Sequence, residues 1–238
     1  MHFDVLPALG LRRRRGALSF VPSEIWHRLD EFIGRPMAMR SYLQDCVGVN
    51  LAFKPAERDP KVHRPTLSGE YDPTKNRATV FIHSKFSEFA SFPFTHDSWN
   101  QVKFDIIELA LHEFVHMSQW KGDQRMWRSR NVRHEPARSE IKHNERGYLS
   151  HPIEIDAYAL SVLLEMMSSY RSFDSKTLAS KLNHKIRSET ARYYLSTFGY
   201  KDAMDKLVVK KLVHRAQYWD RRIRKHAKQL GHEWPAPH

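Results

Sequence analysis

Two histidines with a glutamate between them are the residues of this chain best suited to metal chemistry. They form the segment His112-Glu113-Phe114-Val115-His116. On an α-helix, positions four apart lie on one face about one turn apart, so the two imidazoles can share one zinc ion. Glu113 lies one position further round and can reach a water molecule beside the metal without binding the metal itself. The spacing therefore predicts metal-assisted hydrolysis with Glu113 as general base.

The residues around this HExxH segment make the prediction stronger than the pattern alone. With 15 histidines and 14 glutamates in the chain, chance produces about one such match in twenty chains of this composition. The neighbouring helix positions, however, are nearly all apolar: Ile106, Ile107, Leu109, Ala110, Leu111, Phe114, Val115 and Met117. Buried imidazoles and a buried carboxylate are costly without partners, and a metal ion supplies them. The alternative is a helix with two hydrogen-bonded histidines and a surface glutamate.

A catalytic zinc site also needs a third protein ligand and one open position. The downstream candidates are His134, His143, His151, Glu154 and Asp156. Glu154 is the best placed, because it falls in the first turn of an apolar helix predicted to begin at Pro152. The alternative role for Glu154 is a favourable interaction with the helix dipole. Asp156 lies about 200° round the same helix, so the two carboxylates cannot face one metal.

These features resemble short gluzincin metallopeptidases, including ImmA/IrrE-like proteins and compact metallopeptidases encoded by phages. In that family the second helix carries Glu-x-x-Ala, which Glu154 and Ala157 match. The resemblance covers about residues 66–170 and implies a zincin fold with a small sheet, an active-site helix and a ligand helix. It implies one catalytic Zn²⁺ ion and a protein or peptide substrate. It further implies substrate binding by strand addition, for which Arg77–His83 is the expected edge strand.

The chain departs from the family at the residue that orients a zinc histidine. Many gluzincins have an acid four residues after the ligand glutamate, where this chain has Tyr158. Glu108 and Asp156 are the alternatives for that role. Transition-state stabilisation needs a donor to the developing oxyanion, and Tyr148 and His151 are candidates because related enzymes often place a Tyr or His there. Either could equally anchor the loop, and His83 is a weaker third candidate.

The periodicity of the chain predicts an α+β, mostly helical fold with a small antiparallel sheet or hairpin. The expected helices cover Glu24–Ile33, Pro36 to Cys46, Trp99–Trp120, Pro152–Tyr170, and 175–196, 200–213 and 213–230 in the basic C-terminal region. Strands are expected at Thr66–Tyr71 and Arg77–His83, with an aromatic loop at Phe86–Phe94 and a long surface loop at Asp123–Ser150. The expected organisation is an N-terminal helical region (1–65), a zincin-like core (66–172) and a basic helical region (173–238).

The net charge of +12 is concentrated near the C-terminus. Residues 175–238 hold 15 Lys or Arg and 5 Asp or Glu. Such a surface attracts polyanions, so nucleic acid or an acidic protein is an expected partner; the alternative is a solvated helical face. The basic run Arg12–Arg15 is read as a solvated tail rather than a nucleic-acid clamp.

A single cysteine, Cys46, excludes an internal disulfide framework and a cysteine-based zinc site. The N-terminal segment has its arginines after the apolar residues, which is the wrong order for a secretory signal. No apolar run reaches membrane-spanning length. We therefore expect a cytoplasmic protein without a membrane partner.

Three functions compete at this point. The first is a zinc-dependent endopeptidase. The second is a SprT-like, DNA-directed metalloprotease, which would close its zinc site with a third histidine, for which His134 is available. The third is a non-catalytic zincin fold retained as a structural or nucleic-acid-binding module of viral origin; the intact HExxH residues argue against decay of the site.

Overall fold

The chain is described here from a computed structural model, which covers residues 1–11, 20–55, 64–122, 145–169, 175–178, 186–199 and 202–232. It forms two compact units, unit 1 (Met1–Met117) and unit 2 (Ser118–His238). The predicted tail Arg12–Arg15 and the candidate ligands His134 and His143 lie outside the described residues. The division into regions 1–65, 66–172 and 173–238 stays a prediction.

The described part of unit 1 contains the three strands and the first helices. The helices are α1 (Pro22–Leu29), α2 (Pro36–Tyr42), α3 (Phe86–Ala90) and α4 (His96–Gly122), and the strands are β1 (Val49–Lys54), β2 (Thr66–Asp72) and β3 (Arg77–His83). Short 3-10 and π-helical turns follow α1 and α2, at Asp30–Phe32 and Leu43–Val47. Helix α4 extends past Met117, so its last turn belongs to unit 2.

The remaining helices of the described residues belong to unit 2. They are α5 (Glu145–Leu149), α6 (Pro152–Ser169), α7 (Glu189–Phe198) and α8 (Ala203–Gln229), with a 3-10 turn at Ser175–Thr177. The fold of the described residues is therefore mostly helical with one small sheet, as predicted. None of the described helices combines the length and the apolar composition that crossing a bilayer requires.

The sheet is mixed, with strand order β1-β3-β2. The predicted hairpin is confirmed, because β2 pairs antiparallel with β3 from Thr66↔His83 to Asp72↔Arg77. Its turn is stabilised by Asp72, whose carboxylate accepts hydrogen bonds from the backbone N–H groups of Thr74 and Lys75 at 2.9 and 3.1 Å. Strand β1, which the sequence analysis did not predict, pairs parallel with β3.

This topology overturns the expected role of Arg77–His83. That strand was expected to be the edge, but it lies between β1 and β2, so its backbone is paired on both sides. The prediction was wrong because β1 is far from the hairpin in sequence and local patterns carry no signal for a long-range parallel pair. Within the described residues, β1 and β2 are the edge strands, and β2 is the edge on the hairpin side.

By residue type, Thr95, Asp97 and Ser98 can each cap the start of helix α4. Thr95 precedes the first helical residue, its Oγ1 accepts a hydrogen bond from the backbone N–H of Ser98 at 3.2 Å, and the Ser98 hydroxyl accepts one from the N–H of Thr95 at 2.9 Å. This reciprocal arrangement satisfies two donors that a helix start leaves open. Of the three candidates, Thr95 is therefore the cap. The aromatic segment that precedes it is partly helical, since α3 occupies Phe86–Ala90.

The C-terminal basic region contains one long helix where two were expected. Helix α8 runs unbroken through the predicted boundary at residue 213. Asp202 caps its start by accepting a hydrogen bond from the N–H of Asp205 at 2.8 Å. Neither glycine nor proline occurs between Ala203 and Gly231, and buried residues recur at helical spacing from Val208 to Ala227. Nothing in the chain ends the helix earlier, so the prediction of a break was wrong.

Candidate metal centre

The buried half of α4 carries the histidine pair. His112 and His116 have relative accessibilities of 6%, and Glu113, between them, has 4%. Apolar residues surround the pair on the same helix, including Leu111 and Val115. Imidazoles and a carboxylate are thus held in an apolar setting, where polar groups require partners.

The two imidazole rings lie side by side on one face of α4. Their centroids are 4.9 Å apart and their planes are inclined at 76°. Burial, followed by the neighbouring His116, lowers the pKa of His112 well below its ordinary value. His112 is therefore neutral at physiological pH, and the neutral imidazole is the form that binds a metal ion.

Glu113 lies directly against strand β2. A Cβ atom built on Gly69 would lie 2.3 Å from Oε1 of Glu113, far inside van der Waals contact. Only glycine at position 69 leaves room for the carboxylate in this position. Gly69 sits in the middle of β2, opposite Val80, so the carboxylate of Glu113 contacts the backbone of an edge strand.

Helix α6 carries Glu154 in its first turn, as predicted. The turn is fixed from two sides within unit 2. His151 precedes the helix, and its Nδ1 accepts a hydrogen bond from the backbone N–H of Ile153 at 3.4 Å. Gln119, in the last turn of α4, donates to the carbonyl oxygen of Ile153 at 3.1 Å and to Oδ2 of Asp156 at 3.2 Å. Ile153 and Asp156, which lie on either side of Glu154 in the sequence, are thereby anchored.

Three ligand atoms converge at these helices. One atom each from His112, His116 and Glu154 lie within 4.8 Å of one another. Glu154 is half-buried, whereas both histidines are buried. Two imidazole nitrogens and one carboxylate oxygen are the donor set typical of a catalytic zinc site with a fourth position left open. These are also the three residues that the sequence analysis selected as ligands.

Asp156 points elsewhere. Its Oδ1 accepts a hydrogen bond from Nε of Arg215 at 2.7 Å and forms an ion pair with a terminal nitrogen of the same guanidinium at 2.6 Å. Its Oδ2 accepts from Gln119. The carboxylate therefore binds side chains of α8 and of the end of α4, and it does not orient a zinc histidine. The expectation that Asp156 and Glu154 face different directions is confirmed, while the orienting role for Glu108 stays a prediction.

The candidate oxyanion donors occupy the approach to α6. Tyr148 is half-buried in α5. His151 accepts a hydrogen bond from the backbone N–H of Ile153 through Nδ1, which is a helix-capping role. His83, at the end of β3, forms a hydrogen bond through Nε2 with the Ser68 hydroxyl at 2.8 Å. The catalytic roles of these residues stay predictions.

The roles of three residues near the candidate site could not be predicted from the sequence. Gly69 and Gln119 act through contacts with residues distant in the chain. Tyr194, fully buried, donates a hydrogen bond to the carbonyl oxygen of Leu149 at 3.0 Å. Burial, then Tyr158 and Glu154, raise its pKa well above the ordinary value, which keeps its hydroxyl protonated. Tyr194 thus lies within the electrostatic reach of Glu154.

Scans against protein-family models, curated proteins and solved structures found no match to this chain. Any function assigned to it therefore rests on its own residues.

Proposed function

We propose that this protein is a zinc-dependent metallopeptidase of zincin type, in which His112, His116 and Glu154 hold one Zn²⁺ ion and Glu113 is the general base. The observation that carries the proposal is the convergence of the three ligand atoms within 4.8 Å of one another. The histidines come from one helix and the carboxylate from the start of another.

The chemistry of the donor set supports zinc over harder metals. Imidazole suits zinc, copper, iron and nickel, whereas magnesium and calcium prefer oxygen donors. The lowered pKa of His112 favours the neutral ligand form. Glu154 brings one carboxylate oxygen to within 4.8 Å of an imidazole nitrogen of each histidine. A zinc ion bound there supplies a Lewis acid that polarises a carbonyl oxygen and makes water acidic near neutral pH.

Glu113 is placed to move the proton. Its carboxylate lies on the same helix as both histidines and is buried, so it is shielded from bulk water. In the proposed reaction Glu113 takes a proton from the attacking water and returns it to the leaving amine. Tyr148 and His151 are the proposed donors to the oxyanion. A low-dielectric setting strengthens each of these interactions.

The proposed substrate is a protein or peptide in the cytoplasm. A single cysteine fits a reducing compartment. Of the two edge strands within the described residues, β1 and β2, we propose that β2 binds the extended peptide, whereas β3 is paired on both sides. Since Gly69 of β2 contacts Glu113, a peptide added to this edge would run past the general base.

The test measures metal content and hydrolysis separately. Protein purified without chelator should contain one zinc ion per chain, and His112→Ala should lose it. His96→Ala is the matched control, because His96 lies on the same helix with its side chain 88% exposed. Glu113→Gln should keep the zinc and lose hydrolysis of a denatured-protein substrate by at least about a hundredfold.

Each result bears on a different part of the proposal. Wild-type protein that stays zinc-free when supplied with zinc would overturn the metal site. Zinc bound to wild type together with equal hydrolysis by wild type and Glu113→Gln would overturn the role of Glu113. Zinc binding with no hydrolysis of any protein substrate would favour the non-catalytic alternative.

A further inference from the structure

Helix α8 buries its acidic side chains and exposes basic ones. It contains nine Lys or Arg and two Asp, and both aspartates are buried, Asp205 at 1% and Asp220 at 2% relative accessibility. Asp205 is paired with Arg146, and Asp220 with Ser175 and Arg224. No acidic side chain of α8 is therefore exposed, and the outward face of the helix is entirely cationic or neutral.

The exposed cations form one stripe along this helix. Counted at 100° per residue, six basic side chains fall within a sector of about 100°. The stripe consists of Lys206, Lys210, His214, Arg221, Lys225 and Lys228, all of them exposed. Within the described residues none of its lysines or arginines makes an ion pair. From first to last it extends about 33 Å, at 1.5 Å per residue.

Such a stripe is unfavourable for the isolated helix. Lys206 with Lys210, and Arg221 with Lys225, are like charges at four-residue spacing, which destabilises a helix by a few tenths of a kcal/mol per pair. A polyanion lying along the stripe would remove that repulsion. The length of about 33 Å corresponds to roughly one turn of a DNA duplex.

We propose that this cationic stripe of α8 binds the phosphate backbone of double-stranded DNA without reading its sequence. Lysine predominates in the stripe, and its compact charge suits phosphate contact rather than the bidentate geometry of base recognition. Membrane binding is disfavoured, because no large apolar side chain of the described chain is exposed between Leu207 and Leu230, whereas membrane-surface helices pair a basic face with an apolar one. The inference does not depend on the peptidase activity.

The test compares two triple variants of equal charge. One carries Lys210→Gln, Arg221→Gln and Lys225→Gln in the stripe. The control carries Arg35→Gln, Arg40→Gln and Arg77→Gln, three exposed arginines of unit 1. Fluorescence anisotropy with a labelled duplex of about two helical turns is followed from about 50 to 200 mM salt. Each phosphate contact contributes a slope of about −0.9 in log K against log salt.

The stripe variant should bind at least about tenfold more weakly than wild type, with a slope shallower by roughly 2.7. The control variant should keep the wild-type slope, and a charge-retaining variant with Lys210→Arg and Lys225→Arg should bind as wild type does. Equal losses in the two triple variants would overturn the proposal, since net charge alone would explain them. So would absence of duplex binding by the wild type at about 50 mM salt, or tighter binding to polyglutamate or to anionic vesicles.

Discussion

Gly69 of strand β2 and Glu113 of helix α4 are in contact so close that no side chain fits between them. A Cβ atom at position 69 would lie 2.3 Å from Oε1 and 3.0 Å from the carboxyl carbon of Glu113. The two residues are 44 positions apart in the sequence. The absence of a side chain at position 69 of β2 therefore determines where the carboxylate of the proposed general base can lie.

We predict that Gly69→Ala lowers the hydrolytic activity but leaves the free energy of unfolding nearly unchanged. The atoms that would clash belong to the end of a flexible side chain, so Glu113 can rotate away at small cost to folding. Hydrolysis should fall by at least about tenfold through kcat, because a carboxylate moved by about 1 Å loses its reach to the attacking water. Kinetics on the purified variant measure this, with zinc content as a second readout.

The control for this prediction is Gly122→Ala at the end of α4, where a Cβ atom meets nothing within 4 Å. If Gly69→Ala kept wild-type kcat, the contact would not position the base. If the variant lost its zinc as well, the effect would be a wider rearrangement of the site rather than a displaced carboxylate.

The second prediction concerns the third ligand. Glu154→Ala should lower zinc affinity by more than the 10–100-fold typical of residues that only support a ligand, measured by competition with a chromophoric chelator. Glu165→Ala is the matched control, because Glu165 is a half-buried carboxylate on the same helix that accepts hydrogen bonds from Ser188 and Thr190. Unchanged affinity in Glu154→Ala would leave His134 of the alternative, SprT-like arrangement as the ligand to test.

The third prediction is a pH dependence of stability arising from Glu165. Burial raises its pKa above the ordinary 4.5, although hydrogen bonds from Ser188 and Thr190 oppose the shift. Between the unfolded and the folded pKa, the folded protein holds a proton that the unfolded chain has lost, so the free energy of unfolding falls as pH rises. Above the folded pKa the contribution levels off.

Urea denaturation of wild type and Glu165→Gln across this pH range measures the effect. The stability of wild type relative to the variant should be greatest at low pH and should decrease as pH rises from 4.5. A difference that stayed constant or increased with pH would contradict the direction of the shift.

The fourth prediction concerns the contact between α6 and α8. Asp156 is buried at 9% relative accessibility, and its Oδ1 accepts a hydrogen bond from Nε of Arg215 and forms an ion pair with a terminal nitrogen of that side chain. Among the described residues, Arg215→Ala leaves this carboxylate with Gln119 as its one side-chain donor, and it should lower the free energy of unfolding by about 1.5–3 kcal/mol. The exposed Arg221→Ala on the same helix should change it by less than about 0.5 kcal/mol. Equal effects of the two substitutions would show that the buried pair contributes nothing specific.

Much of the local structure could be predicted because its signals lie close together in the chain. The hairpin followed from two neighbouring runs predicted as strands, and both long helices that carry the candidate ligands followed from their apolar periodicity. The errors arose where the deciding contact is distant. Strand β1 pairs with β3 across 29 residues, and α8 continues because it buries an apolar stripe in unit 2.

The sequence by itself determined the residue types and spacing of the candidate metal ligands. Helical geometry places His112 and His116 on one face whatever the rest of the chain does, since four residues make about one turn. The sequence also determined the excess of positive charge towards the C-terminus. These properties depend only on covalent order and on the period of the helix.

Only the tertiary structure decided which acid approaches the histidines and which are engaged elsewhere. Glu154 lies with the histidine pair, while Asp156, two residues further on, is held by Arg215. The structure also made β2 an edge strand, left room for Glu113 at Gly69, and buried both aspartates of α8 so that its outward face is cationic. Each of these results comes from packing between segments far apart in the chain, where side-chain volume and burial, rather than sequence spacing, select the partners.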